Sequence, residues 1–429
     1  MSGPQTIRPR RSSTLDKIWQ LMLSIGPGIF CIGYTVGTGS VTSMAKAGSQ
    51  FGMQLMWVLM FSCVFSWVLL EAYGRFAIVS GLSSIYAFKT KIRAGKPIAI
   101  LVTLGIIVAQ WNSLSGILGL SANAIYETVN LFFPGLPVEN YWVILGIAIA
   151  IILIMYAFLW VGKYSFFEKV LIFFVTLMGL SFLISLFVVF PKPADIASGM
   201  IPSVPDVAGG KLLVAAFVGT TMAAPTFVVR PLLMKGKGWN QNNLSEQSKD
   251  ALTSAIILFV INVAIMAAAT GAMYYEGRTI EKVLDMVYTL EPVAGKFAVV
   301  IFMLGALSAG LSSIFPILMV APLLIADYQD GELDTSSARF KILTAVACLM
   351  GLTVPILGAN PIAAQIVTQV AGVFVLPLVI ACMLYLINRK DLMGTHRAGR
   401  MMNLGLGLAL IFACVVSYTG FLALMELLS

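Results

Sequence analysis

Apolar residues dominate this chain in long runs separated by short polar stretches, and they do so from one end to the other. The runs fall at roughly 19–45, 51–74, 98–120, 141–162, 167–190, 211–232, 251–275, 295–326, 340–358, 361–388 and 402–427. A helix rises about 1.5 Å per residue and a bilayer core is about 30 Å thick, so each run is long enough to cross a membrane. The pattern predicts an all-α integral membrane protein of about eleven spans.

Two of the runs are interrupted. Thr35-Val36-Gly37-Thr38-Gly39-Ser40 divides the first, and Gly219-Thr220-Thr221-Met222-Ala223-Ala224-Pro225 divides the sixth. Small residues, hydroxyls, glycine and proline at these places stop a helix and free its carbonyls and N–H groups. Within a bilayer such backbone is tolerated only where it is buried in protein or lines a cavity. Paired breaks in corresponding halves of a chain therefore mark a carrier's binding site. Thr35, Thr38, Ser40, Thr220, Thr221 and Thr226 supply candidate oxygen ligands, although such hydroxyls also bond to their own helices.

Composition strengthens the membrane reading. Hydrophobic residues make up 59% of 429 and charged residues 11%, more apolar surface than a water-soluble fold of this length hides. The net charge of +8 has a local origin. Twenty of the twenty-seven basic residues, among them Arg8, Arg10, Arg11, Lys89, Lys163, Lys235, Lys341 and Arg389, lie in the loops of one face when the spans alternate. The positive-inside rule makes that face cytoplasmic. It places the N-terminus inside and the C-terminus, after an odd number of spans, outside, in a plasma (inner) membrane. Basic residues spread over short loops do not make a nucleic-acid surface. The polar N-terminal stretch runs straight into a full-length span, which is unlike a cleavable signal peptide.

Metal-cluster and hydrolase chemistry finds little material. Cys31, Cys63, Cys348, Cys382 and Cys414 all fall in predicted spans with no CxxC spacing, and the one histidine, His396, sits in a basic loop. No His-based metal cluster or catalytic triad follows, no enzyme activity is expected and no cofactor is implied. The acidic run beginning at Asp327 lacks the spacing of a calcium loop and reads as a solvated turn. The stretch 233–250, with its Lys-Gly-Lys-Gly-Trp, reads as a flexible gate or a plain connector. Glu71, one helical turn before Arg75, suits an i,i+4 ion pair or a gating role. Lys46 and Arg230, one on each interrupted run, are gating candidates too, although Lys46 also suits a snorkelling position at the interface and Arg230 reads first as a cytoplasmic anchor beside Pro231.

Several motifs resemble one family. Gly26-Pro27-Gly28 followed by Ala47-Gly48-Ser49-Gln50-Phe51-Gly52, then Arg75-Phe76-Ala77-Ile78-Val79-Ser80-Gly81, then Asn388-Arg389-Lys390-Asp391-Leu392-Met393-Gly394 are similar, in order, to segments of the Nramp (natural resistance-associated macrophage protein) divalent-metal transporters. The resemblance implies a leucine-transporter-like fold of the APC superfamily. That fold has two inverted five-helix repeats, here about 18–190 and 211–390, with an additional helix at 400–427.

The departures from the family pattern concern its ligands. The family's Asp-Pro-Gly-Asn falls on Gly37-Thr38-Gly39-Ser40, so the acidic ligand becomes Gly37 and the amide ligand Ser40. No acid lies between Asp16 and Glu71 in any register. The family's Met-Pro-His-Asn begins at Ala223 in one register and at Met222 in another, and a later histidine falls near Arg230. Gln369, eight residues before Pro377, is similar to a family glutamine that completes the metal shell. By this resemblance the metal set is Gly37, Ser40, Ala223 and Gln369. The stretch from Gln110 to Ala124 has none of the family's acidic residues for proton movement.

Three functions stay open at this level. The first is a divalent-cation transporter working by alternating access, with a partly hydrated ion such as magnesium or manganese. The second is a transporter of the same fold for an anion or small organic solute, a preference that Lys46 and Arg230 would strengthen. The third is a membrane sensor without transport. The bilayer and the small substrate are the only partners the sequence implies.

Overall fold

The computed structural model describes residues 27–133, 141–160, 164–205, 209–329 and 335–428. The N-terminal arginines, Lys163 and the acidic stretch 330–334 lie outside the described residues. The described chain is helical throughout. Its first span is broken into α1 (Gly28–Thr35) and α2 (Thr38–Phe51). Then come α3 (Met56–Ser80), a connecting helix α4 (Ser84–Lys91), α5 (Gly95–Phe132), α6 (Tyr141–Trp160) and α7 (Tyr164–Val188). The second broken span is α8 (Gly210–Thr221) and α9 (Ala224–Gly236). It is followed by α10 (Leu244–Met273), α11 (Val283–Gln329, kinked at Gly295), α12 (Ala338–Gly351), α13 (Pro361–Val373), α14 (Leu376–Ile387) and α15 (Arg400–Leu428). Among the described residues ten stretches are long and apolar enough to cross a membrane, α8–α9 and α13–α14 each counting as one. With the α1–α2 pair they make the eleven spans expected.

The helices stop where the sequence supplies the means. α3 ends on Gly81, whose φ of 67° is the left-handed cap that glycine adopts without strain and whose N–H bonds to the carbonyl of Ala77. α9 starts with Pro225 in its first turn, where a missing N–H costs nothing. The first-break and second-break helices occupy the middle of the bundle. Every residue of α1 is buried, whereas α6, α12 and α15 present Leu153, Leu349 and Ile411 outwards as a lipid-facing surface. Small residues let helices approach closely, as membrane bundles require. A β-carbon on Gly48 of α2 would lie 2.3 Å from the Met266 carbonyl of α10.

Two sequence expectations change here. α10 begins at Leu244 and α9 runs to Gly236, so the predicted loop 233–250 shrinks to a connector that includes a short 3-10 turn at Gln241–Asn243. Asp327 is not in a solvated turn. It is fully buried, and its carboxylate accepts from the amides of Ile85 (2.9 Å) and Tyr86 (3.1 Å) at the start of α4. An acid there meets the free N–H groups and positive end of a helix. His396 is exposed, as expected.

The loop after α14 is clamped by Arg389, which donates to both oxygens of Asp391 (2.9 and 2.5 Å) and to the Lys91 carbonyl of α4. Hydrogen bonding from Arg389 holds the Asp391 carboxyl below its ordinary range. A depressed folded-state value gives a contribution that is complete above the unfolded value of about 3.9 and is lost as pH falls through the folded one. The pair is exposed, so the effect is small. Hydrogen-exchange protection of this loop, corrected for intrinsic rates, is expected to be flat from neutral pH to about pH 5 and to fall only below about pH 4.

Candidate functional site

At the first break Val36 and Gly37 leave the helical region, with ψ of 57° and −164°. The freed carbonyl of Thr35 accepts from Ser40 Oγ at 2.8 Å and from Thr220 Oγ1 at 3.0 Å, and those hydroxyls lie 3.0 Å apart. One carbonyl thus ties the two broken spans together. The Gly33 carbonyl is satisfied by Ser313 Oγ (2.8 Å) and Ser312 Oγ (3.2 Å) of α11. Ser313 also fills the space beside Gly37, where a β-carbon would lie 2.2 Å from its Oγ. At the second break Met222 and Ala223 are non-helical, and the Thr221 carbonyl accepts from Ser66 Oγ of α3 at 2.7 Å.

Between the breaks, α5 and α13 lies a small polar cavity of about 20 Å³, room for about one water-sized body. Of the residues singled out in the sequence, Gly37, Thr38, Thr220, Ala223 and Gln369 line it. Thr35, Ser40, Thr221, Met222 and Thr226 do not. Thr35 and Thr221 turn back onto the carbonyls of Cys31 (2.7 Å) and Phe217 (2.6 Å), Ser40 is engaged at the Thr35 carbonyl, and Met222 is buried away from the lining. Ala223, not Met222, therefore stands at the cavity.

The structure adds Tyr34, Gly39, Gln110, Ser113, Ile117, Ser313, Ile317 and Gln365 to the lining. Gln365 and Gln369 donate to Ser113 Oγ at 3.0 and 3.3 Å, joining α13 to α5. Their i,i+4 spacing, and the i,i+3 spacing of Gln110 and Ser113, set polar groups on one side of otherwise apolar helices. That signal is readable from the sequence. Tyr34 precedes Thr38 across a break and carries no comparable signal.

The gating candidates lie away from the cavity. Arg230 is not a surface anchor. It is 1% exposed, and Nη2 donates to Asp250 Oδ2 (2.7 Å) and Gln247 Oε1 (3.0 Å) of α10. Asp250 Oδ1 accepts from the Gly28 amide at the start of α1 (3.1 Å), and Gln247 Nε2 donates to Glu71 Oε2 (2.7 Å). Glu71 in turn takes the expected i,i+4 contact from Arg75 (2.8 Å). The network joins α1, α3, α9 and α10 at the face of the basic loops. At the other face Lys46 pairs with Glu281 (2.9 Å), whose carbonyl accepts from Asn360 Nδ2 (2.9 Å). Neither Lys46 nor Arg230 lines the cavity, so the expected cationic bias towards an anion is absent there.

Among the described residues no three His, Cys, Asp or Glu side chains gather as a metal cluster. The cavity offers hydroxyl, amide and backbone oxygens without charge, a set that suits hard cations and not thiophilic ones.

A helical membrane bundle with a small polar cavity where two broken spans meet has the architecture of the leucine-transporter-like fold. The chain belongs to the Nramp family: the family described as natural resistance-associated macrophage protein-like matches residues 28–423. Curated relatives include the divalent metal cation transporter MntH of Erwinia tasmaniensis, 26% identical over 93% of this chain and 93% of that protein. The MntH of Klebsiella pneumoniae subsp. pneumoniae is 24% identical over 94% of each. A crystal structure of a manganese transporter from Eremococcus coleocola superposes with a TM-score of 0.72 at 14% identity, covering 98% of this chain and 89% of that one. A nucleobase-cation-symport-1 family transporter gives 0.58 at 16% identity over 95% and 90%. At these identities the structural likeness is one of fold.

Proposed function

We propose that this chain is a secondary transporter that carries a divalent cation by alternating access at the cavity between the two breaks. The carrying observation is the small polar cavity at the point where both broken spans are hydrogen-bonded to each other. Relatives named as divalent metal cation transporters along almost the full chain support it. The repeats are 18–190 and 211–390 with 400–427 as an additional helix. The basic face is cytoplasmic in a plasma (inner) membrane, which puts the Arg230 network at the inner end and the Lys46–Glu281 pair at the outer end. The first repeat's broken span and the second's would rock against α5 and α13, opening one end at a time.

Uptake of magnesium and manganese into proteoliposomes tests this. Saturable flux is expected, and Thr220→Val, which removes a lining hydroxyl and the link to Thr35, is expected to lower kcat/KM by about ten-fold or more. Thr419→Ala, on the peripheral helix α15, serves as the unaffected control. Absence of flux of either ion would sink the reading and leave the alternatives of a non-metal solute carrier and a sensor.

A further inference from the structure

We propose a second binding site at the face opposite the basic loops, for a small organic ligand that carries a primary ammonium group. It lies apart from the cavity at the breaks and does not rest on the transporter reading. A cavity of about 360 Å³ is formed there by α5, the start of α6, Lys282 and the stretch 352–360 that joins α12 to α13. That is the size of a small-molecule pocket, against about 20 Å³ for the cavity between the breaks.

The chemistry of the wall selects the charge of the ligand. Glu127 of α5 is 5% exposed and brings a carboxylate to the cavity. An acid buried among membrane helices is costly, and its position calls for a function. One helical turn before it, Asn123 donates through Nδ2 to the Gly119 carbonyl at 2.8 Å. A carbonyl only accepts, which fixes the amide's orientation. Among the described residues Asn123 Oδ1 then has no hydrogen-bond partner, and Asn123 lines the cavity. Two donors on the same wall are committed within the protein: Tyr141 Oη to the Ile356 carbonyl (2.7 Å) and Asn360 Nδ2 to the Glu281 carbonyl (2.9 Å). The wall is richer in acceptors than in donors, so it favours a ligand that brings N–H groups and positive charge.

Other features favour an organic cation over a metal ion. Ile144, Val354 and Pro361 share the wall with the polar groups, and they match a hydrocarbon body but coordinate nothing. Lys282, exposed at the cavity, opposes a divalent charge more strongly than a single one. Tyr141 is 37% exposed and lines the cavity. Its ring is braced by the bond to Ile356 and by Gly358, where an added β-carbon would lie 3.7 Å from Tyr141 Cδ2. An aromatic ring near a carboxylate suits an ammonium group. A dissolved amine and the ethanolamine headgroup of a phospholipid both carry this chemistry.

Calorimetric titration of cyclohexylamine into the full chain in phosphatidylcholine nanodiscs tests the site, with cyclohexanol as the uncharged analogue and magnesium as a competitor. Saturable binding of the amine is expected, about ten-fold or more tighter than that of the alcohol. Glu127→Gln is expected to weaken it about ten-fold or more, and Tyr141→Leu several-fold. Asn123→Asp, which adds a second carboxylate, is expected to tighten it about ten-fold, a gain that a purely structural role does not produce. In phosphatidylethanolamine nanodiscs, weaker apparent binding of the amine supports the headgroup as occupant, and unchanged binding supports a dissolved amine. Equal affinity for amine and alcohol, or affinity unchanged in both Glu127→Gln and Asn123→Asp, overturns the proposal. Displacement of the amine by equimolar magnesium overturns it too, by making this a metal site. Ion uptake is a separate readout, so each of these failures leaves the transporter reading standing.

Discussion

Arg230→Met is expected to destabilise the folded chain by about 3–5 kcal/mol, the cost of stranding the charge of a buried partner. Asp250, 2% exposed in its side chain, loses its guanidinium and, among the described residues, keeps the Gly28 amide. Asp250→Leu is expected to be nearly as harmful, since it strands the arginine and removes the contact that holds the first residue of α1. Replacing both, Arg230→Met with Asp250→Leu, is expected to recover much of the loss, because a hydrophobic pair of similar volume often does as well as a buried ion pair. Among the described residues Arg230 Nε and Nη1 have no partner in any case. Thermal unfolding in detergent across this four-membered cycle measures the coupling. If the double variant melts as low as Arg230→Met, the loss is one of packing and not of charge. In the proposed transport cycle the double variant also frees Gly28, so the stable double variant is expected to favour the form open at the basic face.

Gly219→Val is expected to have the second largest effect. A β-carbon on Gly219 would lie 2.0 Å from the carbonyl oxygen of Gln369 and 2.7 Å from its carbon. These are backbone atoms of α13 that no rotamer change moves aside. α8 must separate from α13, which costs about 1–3 kcal/mol or more and pulls Thr220 from the Thr35 carbonyl. Uptake is expected to be lost with it. Gly236→Ala is the matched comparison, with nothing within 4 Å of the added carbon. It is expected to stay within about 1 kcal/mol of wild type, since alanine is the better helix former. Equal melting temperatures for Gly219→Val and wild type would show that α8 and α13 do not need this approach.

The spans and breaks were legible in the sequence because a bilayer imposes its own requirement: length, apolarity and a stop at Gly37 or Pro225 are local properties. Arg230 was misread for the opposite reason. Its neighbour Pro231 and the basic stretch after it point to a surface, and its partner Asp250 is on the next span, in what the sequence suggested was a loop. Asp327 was misread likewise, since it faces amides of α4 more than two hundred residues away in the chain. At the cavity the sequence pointed to both breaks and to five of the thirteen lining residues. Which hydroxyl lines the space and which folds back onto a carbonyl depends on the crossing of two breaks, and Thr220 and Thr221 are adjacent yet take opposite roles.

The position of Ser313 makes two distant places in the chain depend on each other. The volume that a β-carbon at residue 37 needs is held by Ser313 Oγ at 2.2 Å and Cβ at 3.1 Å. Gly37→Asp alone meets that side chain, and Ser313→Gly alone gives up the hydroxyl that satisfies the Gly33 carbonyl. Each single step is a loss, and only the pair makes room for an acid. Positions 37 and 313 are therefore coupled through one shared volume, and a larger residue at the first is tolerated only together with a smaller one at the second.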